Sequence, residues 1–423
     1  MADAARLFQL FGTCNNYPWG KQGRESLAAQ LREKSPGTPF TIEADQFYSE
    51  LWFGDYPDFP ARVLESEEPL ASLLQENPDQ LLGEYVIRNL DGQLPFLPKI
   101  LSIAKALPLQ VHPNKKLSEH LHRDHPDQYT DPNHKPEIAV ALSRFEVFAG
   151  WKPINIISAL FNTPKLRQFV PENTQYWSDE TLREVVRRVL KADDKTIRKL
   201  QDDVAHMSER YLEELHEQGY MLSLLPRLQD QYSATDPGSL VALLCMNYMV
   251  LEPGEALYIP ADGIHAYLSG DIVECMARSN NVLNTGFCPR ADRDSIGLFA
   301  QTLTFSPDTQ LDNVKLPAKK SKDGSRGHTS VYQPPISEFD MLRIDLREND
   351  DEEVSGNRGP GIAIVTRGEG RVLGDGKEFE AKEGYIFYIA PGTTTTWRTT
   401  SGLQVHAAVV HAPPITGGKQ CPQ

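Results

Sequence analysis

Along the chain the rhythm of apolar and polar positions changes twice. Up to about Trp151 the apolar residues come in short runs broken by Gly and Pro: Tyr48 to Gly54, Ala61 to Leu64, Phe96 to Ile103, Ile138 to Leu142 and Phe145 to Ala149. Runs of this length and punctuation predict the strands of a sandwich or barrel. Leu70 to Gln75 and Lys116 to His122 predict short helices between them. From Pro153 the period turns helical. Ser178 stands as an N-cap before Asp179 and Glu180, and Leu182, Val185, Val186, Val189 and Leu190 follow at i, i+3, i+4, i+7 and i+8. Two more amphipathic segments, Asp194 to Gln218 and Leu222 to Gln231, complete an all-α insert that should close near Asp236-Pro237-Gly238. Strand patterning should resume at about Leu251.

In this last part the chain repeats itself. Glu252 to Pro260 aligns with Lys382 to Ala390, registered on Gly254 and Gly384, and each copy reads as a turn leading into a buried strand. The same register sets His265 against Thr395 and Tyr267 against Trp397. Lys319 to Thr329, polar and Gly-containing, predicts an exposed connection between the copies. The expected fold is therefore mainly β with an α insert: two β-barrel or jelly-roll domains of the cupin type plus an all-α domain. Residues 1–152 and 240–316 would form a discontinuous first barrel, 153–239 the insert, and 317–423 a second barrel without metal.

Strand alternation through Leu107, Leu109 and Val111 points Gln110 and His112 to one side. Polar groups facing a core are costly unless satisfied, and imidazole with carboxylate is a common zinc set. Answered downstream by His134-Lys135-Pro136-Glu137 and by His265-Ala266-Tyr267, the pair points to a bound metal. His120, His122 and His125 also crowd together, but among Lys116, Arg123 and Asp124 they read as the solvated end of a short helix.

At 423 residues, 40% hydrophobic and 24% charged, the chain can bury a large core and should divide into two or three domains. A net charge of −15 argues against nonspecific nucleic-acid binding, and an anionic small substrate would need a local group of cations. No apolar run reaches the roughly 18 to 20 residues that span a bilayer, and Met1 to Leu10 lacks the pattern of a signal peptide. The five cysteines, Cys14, Cys245, Cys275, Cys288 and Cys421, are scattered without a C-x-x-C pair. They predict free thiols in a reducing, cytoplasmic setting.

Tyr129-Thr130-Asp131-Pro132-Asn133-His134-Lys135-Pro136-Glu137 resembles, position for position, the first signature of type I phosphomannose isomerases. The likeness extends through Tyr17-Pro18-Trp19-Gly20, Glu50-Leu51-Trp52-Phe53-Gly54, Gln110-Val111-His112-Pro113-Asn114-Lys115 and the run from His265 to Ala277. The resemblance, to a fungal-like member or a divergent paralogue, implies a zinc cupin that interconverts mannose 6-phosphate and fructose 6-phosphate and feeds the GDP-mannose supply. It places one zinc on Gln110, His112, Glu137 and His265. It makes Lys135 and Glu274 candidates for proton handling, His134 for ring opening and Tyr267 for sugar binding.

The second signature departs from the family pattern. Asn280 stands where the family has Asp, Asn284 where it has an active-site Arg, Arg290 where it has Lys, and Pro108 where a Ser is common. Losing both members of an Asp/Arg pair leaves local charge unchanged. The cations left for a phosphate are Arg290, Lys99 and Lys115, together with Lys135 and Arg278. Beside the isomerase reading stand an isomerase of another sugar and a catalytically weak sugar-binding or regulatory cupin that keeps zinc for structure. The expected partner is a small phosphorylated sugar, without nucleic acid or membrane, and the expected state is a monomer.

Overall fold

The computed structural model describes residues 4–215, 218–305 and 314–410; Cys421, the first residues of the chain and the far end of the 317–423 range lie outside the described residues. Among the described residues the strands form two large sheets, of eleven and ten strands, and one two-stranded pair. The chain is mainly β with helices, as expected. The ten-stranded sheet is built around two long elements, Phe96–Ile103 and His265–Ala277, paired antiparallel from Gly270↔Ile103 to Ala277↔Phe96. All of Phe96–Ile103 is buried, which explains why its sequence reads as an apolar run rather than an alternation.

The insert forms between the strands Phe145–Trp151 and Met246–Leu251. The Ser178 hydroxyl accepts from the Thr181 amide, and Leu182, Val185, Val186, Val189 and Leu190 are the buried residues of helix Asp179–Lys191. The segment expected as one helix from Asp194 breaks into Asp194–Ala205 and Glu209–Glu214, because Ser208 caps a new start. Nor does the insert stop at Asp236. That carboxylate caps a further helix, Pro237–Cys245, every residue of which is buried. A helix buried on all sides has no polar face and hence no amphipathic period to read, so strand patterning resumes at Met246 rather than Leu251. Lys319 to Thr329 is likewise not only a loop. Lys319–Lys320 pairs with Thr329–Tyr332 at the sheet edge, where exposed lysines make a short strand look like connection.

The repeat is visible in the backbone itself. Gly254 and Gly384 have φ of 90° and 85° and lead into Ala256–Ile259 and Ile386–Ile389; farther on, Asp262 and Gly392, again in matching positions, have φ of 65° and 72°. His265 and Thr395 then each begin a strand. In the first copy Ile259 pairs with Glu137, whereas in the second Ile389 pairs with Gly361.

The two sheets are sewn together by the N-terminal segment. Thr13–Asn15 pairs with Glu50–Trp52 in the ten-stranded sheet. Leu7–Phe11, just before it, pairs with Ile386–Ile389 in the other sheet. One apolar cluster lies between the sheets, with Phe96, Ile100 and Val273 facing Ile362, Ile364 and Tyr388; a second fills the interior of the ten-stranded sheet around Phe145 and Tyr267.

Candidate metal centre

The strand His265–Ala277 carries the site, and one glycine decides which of its residues face inward. Tyr267 and Ile272 share the interior cluster, although strict alternation would put an odd and an even position on opposite faces. Ala266 and Leu268 pack toward the insert, and Val273 and Cys275 toward the other sheet. The step is absorbed at Gly270, whose φ of 121° suits only glycine and where a Cβ would meet the Arg144 carbonyl oxygen at 2.6 Å. His265 and Tyr267 before the step, and Glu274 after it, therefore look into the same interior.

Glu137 enters from the neighbouring strand and His112 from the end of Leu109–Val111. The Glu137 Oε1 lies 3.2 Å from His112 Nε2 and its Oε2 3.5 Å from His265 Nε2. The three ligand atoms fall within 4.8 Å of one another, in full burial. Gln110 pairs directly with His265 on one side and with Asn284 on the other. Residues opposite each other across an antiparallel pair share a face, so Gln110 belongs to the same wall.

Both imidazoles are set as ligands. His112 Nδ1 contacts the Asn281 carbonyl at 2.9 Å and His265 Nδ1 the Gly263 carbonyl at 3.0 Å. Only a protonated Nδ1 can donate to a carbonyl, and in a neutral ring that leaves Nε2 as the bare lone pair. Burial, with the nearby Lys135 charge adding to it, pushes the His112 pKa down to about 4, so its ring is neutral. The His112 contact to Glu137 is thus not an ion pair but a lone pair facing a carboxylate, and the Nε2 atoms of both His112 and His265 are buried without a hydrogen-bond partner. A cation among the three groups resolves that conflict, and two imidazole nitrogens with a carboxylate fit zinc.

Around this centre Lys135 Nζ lies 3.4 Å from Glu137 Oε1, and the Tyr267 hydroxyl donates to Glu137 Oε2 at 3.1 Å. Burial, then the Glu137 charge, push the Glu274 carboxyl up to about 8, against the pull of Lys99 and Lys135. Lys99 is held between two partners, 3.8 Å from Glu274 Oε2 and 4.1 Å from the centre of the Trp52 ring. Burial opposes its charge, but Glu50 and Glu274 outweigh that and hold its pKa above the ordinary value. The order Glu274, Lys99, Trp52 follows from strand register, since Lys99 pairs with Glu274 on one side and Trp52 on the other.

The remaining candidates stand apart from this buried group. Lys115 and Arg290 are exposed, and the Arg290 guanidinium pairs with Asp194 of the insert. His134 meets Glu338 through its Nε2. His120 is exposed beside Arg123 and Asp124, as the solvated-helix reading holds. Sequence reasoning gave no role to Glu50, buried and accepting from Trp52 Nε1 at 2.5 Å. Its signal was a carboxylate in a strand that is otherwise apolar.

A mainly-β fold with a buried centre of two imidazoles and a carboxylate defines a metal-binding β protein. The family profile for phosphomannose isomerase type I, catalytic domain, matches residues 7–154. The mannose-6-phosphate isomerase of Ogataea parapolymorpha is 34% identical over 410 residues, covering 92% of this chain and 95% of that protein; the Saccharomyces cerevisiae enzyme is 35% identical, covering 91% and 94%. The chain belongs to the type I phosphomannose isomerase family. Among solved structures, a zinc-bound mannose 6-phosphate isomerase superposes with a TM-score of 0.80 at 24% identity, covering 97% of this chain and 100% of that one. A mutant of phosphomannose isomerase from Salmonella typhimurium also gives a TM-score of 0.80, covering 96% of this chain.

Proposed function

We propose that the protein is a zinc-dependent aldose–ketose isomerase interconverting D-mannose 6-phosphate and D-fructose 6-phosphate, and so supplying GDP-mannose biosynthesis. The observation that carries this reading is the pair of orphaned Nε2 atoms aimed at Glu137, in a chain whose relatives over nine-tenths of its length bear that enzyme's name. Gln110, His112, Glu137 and His265 would hold one zinc. When bound, the metal supplies Lewis-acid polarisation of substrate oxygens.

The protein's own groups do the rest. The reaction moves a proton between adjacent carbons, which asks for a group that can both take and give it near neutral pH. Glu274, pushed up to about 8, has that poise. Lys135 is the second proton-handling group, Tyr267 binds the sugar, and His134 assists ring opening. Lys99, clamped between Glu274 and Trp52, serves Glu274 better than a phosphate; that contact falls to the exposed Arg290 and Lys115.

In this reading each sheet folds as a cupin jelly roll, with 1–152 and 240–316 catalytic, 153–239 an inserted helical domain and 317–423 a second cupin. The last holds no metal, because Thr395 and Gly361 stand where His265 and Glu137 stand in the first. No helix among the described residues is long and apolar enough to cross a membrane. We place the enzyme in the cytoplasm as a monomer.

A coupled assay on purified protein tests the proposal. Mannose 6-phosphate should turn over, chelation should abolish turnover, and zinc should restore it at one equivalent per chain. A zinc-loaded protein without turnover sinks the reading. One observation favours a second reading, an isomerase of another sugar: Asn284, uncharged where the family has Arg, lies next to Gln110 on the wall of the site. Turnover of an unphosphorylated aldose in place of mannose 6-phosphate would establish it.

A further inference from the structure

We propose that Glu338, from the C-terminal half of the chain, is a positioning residue for the isomerisation that acts by fixing the imidazole of His134. The inference rests on the isomerase reading above. Glu338 Oε1 lies 2.5 Å from His134 Nε2, with only 13% and 21% of the two side chains exposed. The other carboxylate oxygen is also engaged, accepting from the Ser337 amide at 3.0 Å and its hydroxyl at 3.3 Å. A carboxylate held at both ends cannot swing.

Its backbone is anchored as well. The next residue, Phe339, is fully buried and meets Phe96 edge-on, with ring centres 6.4 Å apart. Phe96 opens the strand that carries Lys99. The segment before His134 is braced too, with Asn281 donating to the Asn133 carbonyl at 2.8 Å and Asn133 donating to that of Arg278 at 3.1 Å. His134 adjoins Lys135, whose ammonium touches Glu137.

A carboxylate on one ring nitrogen fixes the tautomer and orientation of the other. Donation from Nε2 to Glu338 leaves Nδ1 as the free lone pair, ready to take a proton from a sugar hydroxyl. The part of the chain beyond residue 316, which supplies none of His112, Glu137 and His265, thus completes the chemistry of the part before it through one side chain. Nothing in the sequence around Ser337-Glu338-Phe339 announces this, because the partner lies 204 residues away.

The test is a double-mutant cycle on the full-length, zinc-loaded enzyme with mannose 6-phosphate as substrate. Glu338→Gln should lower kcat about 10- to 100-fold, with KM, zinc content and thermal midpoint unchanged. In a His134→Gln background the same substitution should cost nothing more, as expected of two groups acting as a unit. A wild-type kcat in Glu338→Gln overturns the inference, and so does a loss that persists in His134→Gln. Wild-type protein without turnover overturns the isomerase reading and takes this inference with it. Active wild type beside an unaffected Glu338→Gln removes the inference alone.

Discussion

Asn280 shows how one amide shapes the rim of the site. Its backbone N–H donates to Asp131 Oδ2 at 2.9 Å and its side-chain nitrogen to Asp58 Oδ2 at 3.3 Å. Restoring the family's Asp here without a compensating cation would set three carboxylates together. Asn280→Asp alone should lower stability by about 0.5 kcal/mol at low salt, less at high salt, because the position is exposed and screened. Denaturant midpoints at two ionic strengths check this, and equal or greater stability would show that Arg278 already absorbs the charge. At this scale the cluster of His112, Glu137 and His265 was legible in the sequence, since all three are polar residues in or beside apolar strands. For Lys99, read from sequence as a phosphate contact, the two partners Glu274 and Trp52 arrive only when three strands pair.

Between elements the decisive contact is Glu146, which joins the insert to the sheet. Its carboxylate accepts from Ser269 at 2.6 Å, Tyr248 at 2.7 Å, Arg227 of the insert at 2.6 Å and Arg144 at 3.0 Å. Burial acts to raise its pKa, but these donors outweigh it and hold the value at about 2. A folded-state pKa below the unfolded one means that the unfolded chain takes up the proton first. The stabilisation is present in full above the ordinary carboxylate value of 4.5 and is lost as pH falls toward 2. Glu146→Gln should cost about 2 kcal/mol at pH 7, and the gap to wild type should close between about pH 5 and pH 2. A gap that stays constant over that range would mean that shape, not charge, holds the joint. Elements with a polar face were readable from their period, as helix Asp179–Lys191 was. Pro237–Cys245 was not, having no such face, and the change of phase at Gly270 was hidden because a conformation, not a pattern, produces it.

Taken as a whole, the chain is closed on itself by the pairing of Leu7–Phe11 with Ile386–Ile389, register Leu7↔Ile389 to Leu10↔Ile386. The repeat made the two β halves legible in advance, but a short N-terminal strand carries no mark of which sheet it will join. That pairing has a consequence in time. A ribosome delivers residues 7–11 long before Ile386–Ile389, so the edge of Leu7–Phe11 that pairs with that strand stays unpaired until it is made. Contacts this distant in sequence form slowly and leave apolar strand edges exposed meanwhile. In pulse-labelled hydrogen exchange during refolding, the amides of residues 7–11 should gain protection after those of Phe96–Ile103, and early protection of the N-terminal strand would refute the order. Synthesis that stalls before Tyr385 should leave Leu7–Phe11 with only its Arg62–Val63 edge able to pair and the other open, a species that chaperones would have to hold until the missing strand arrives.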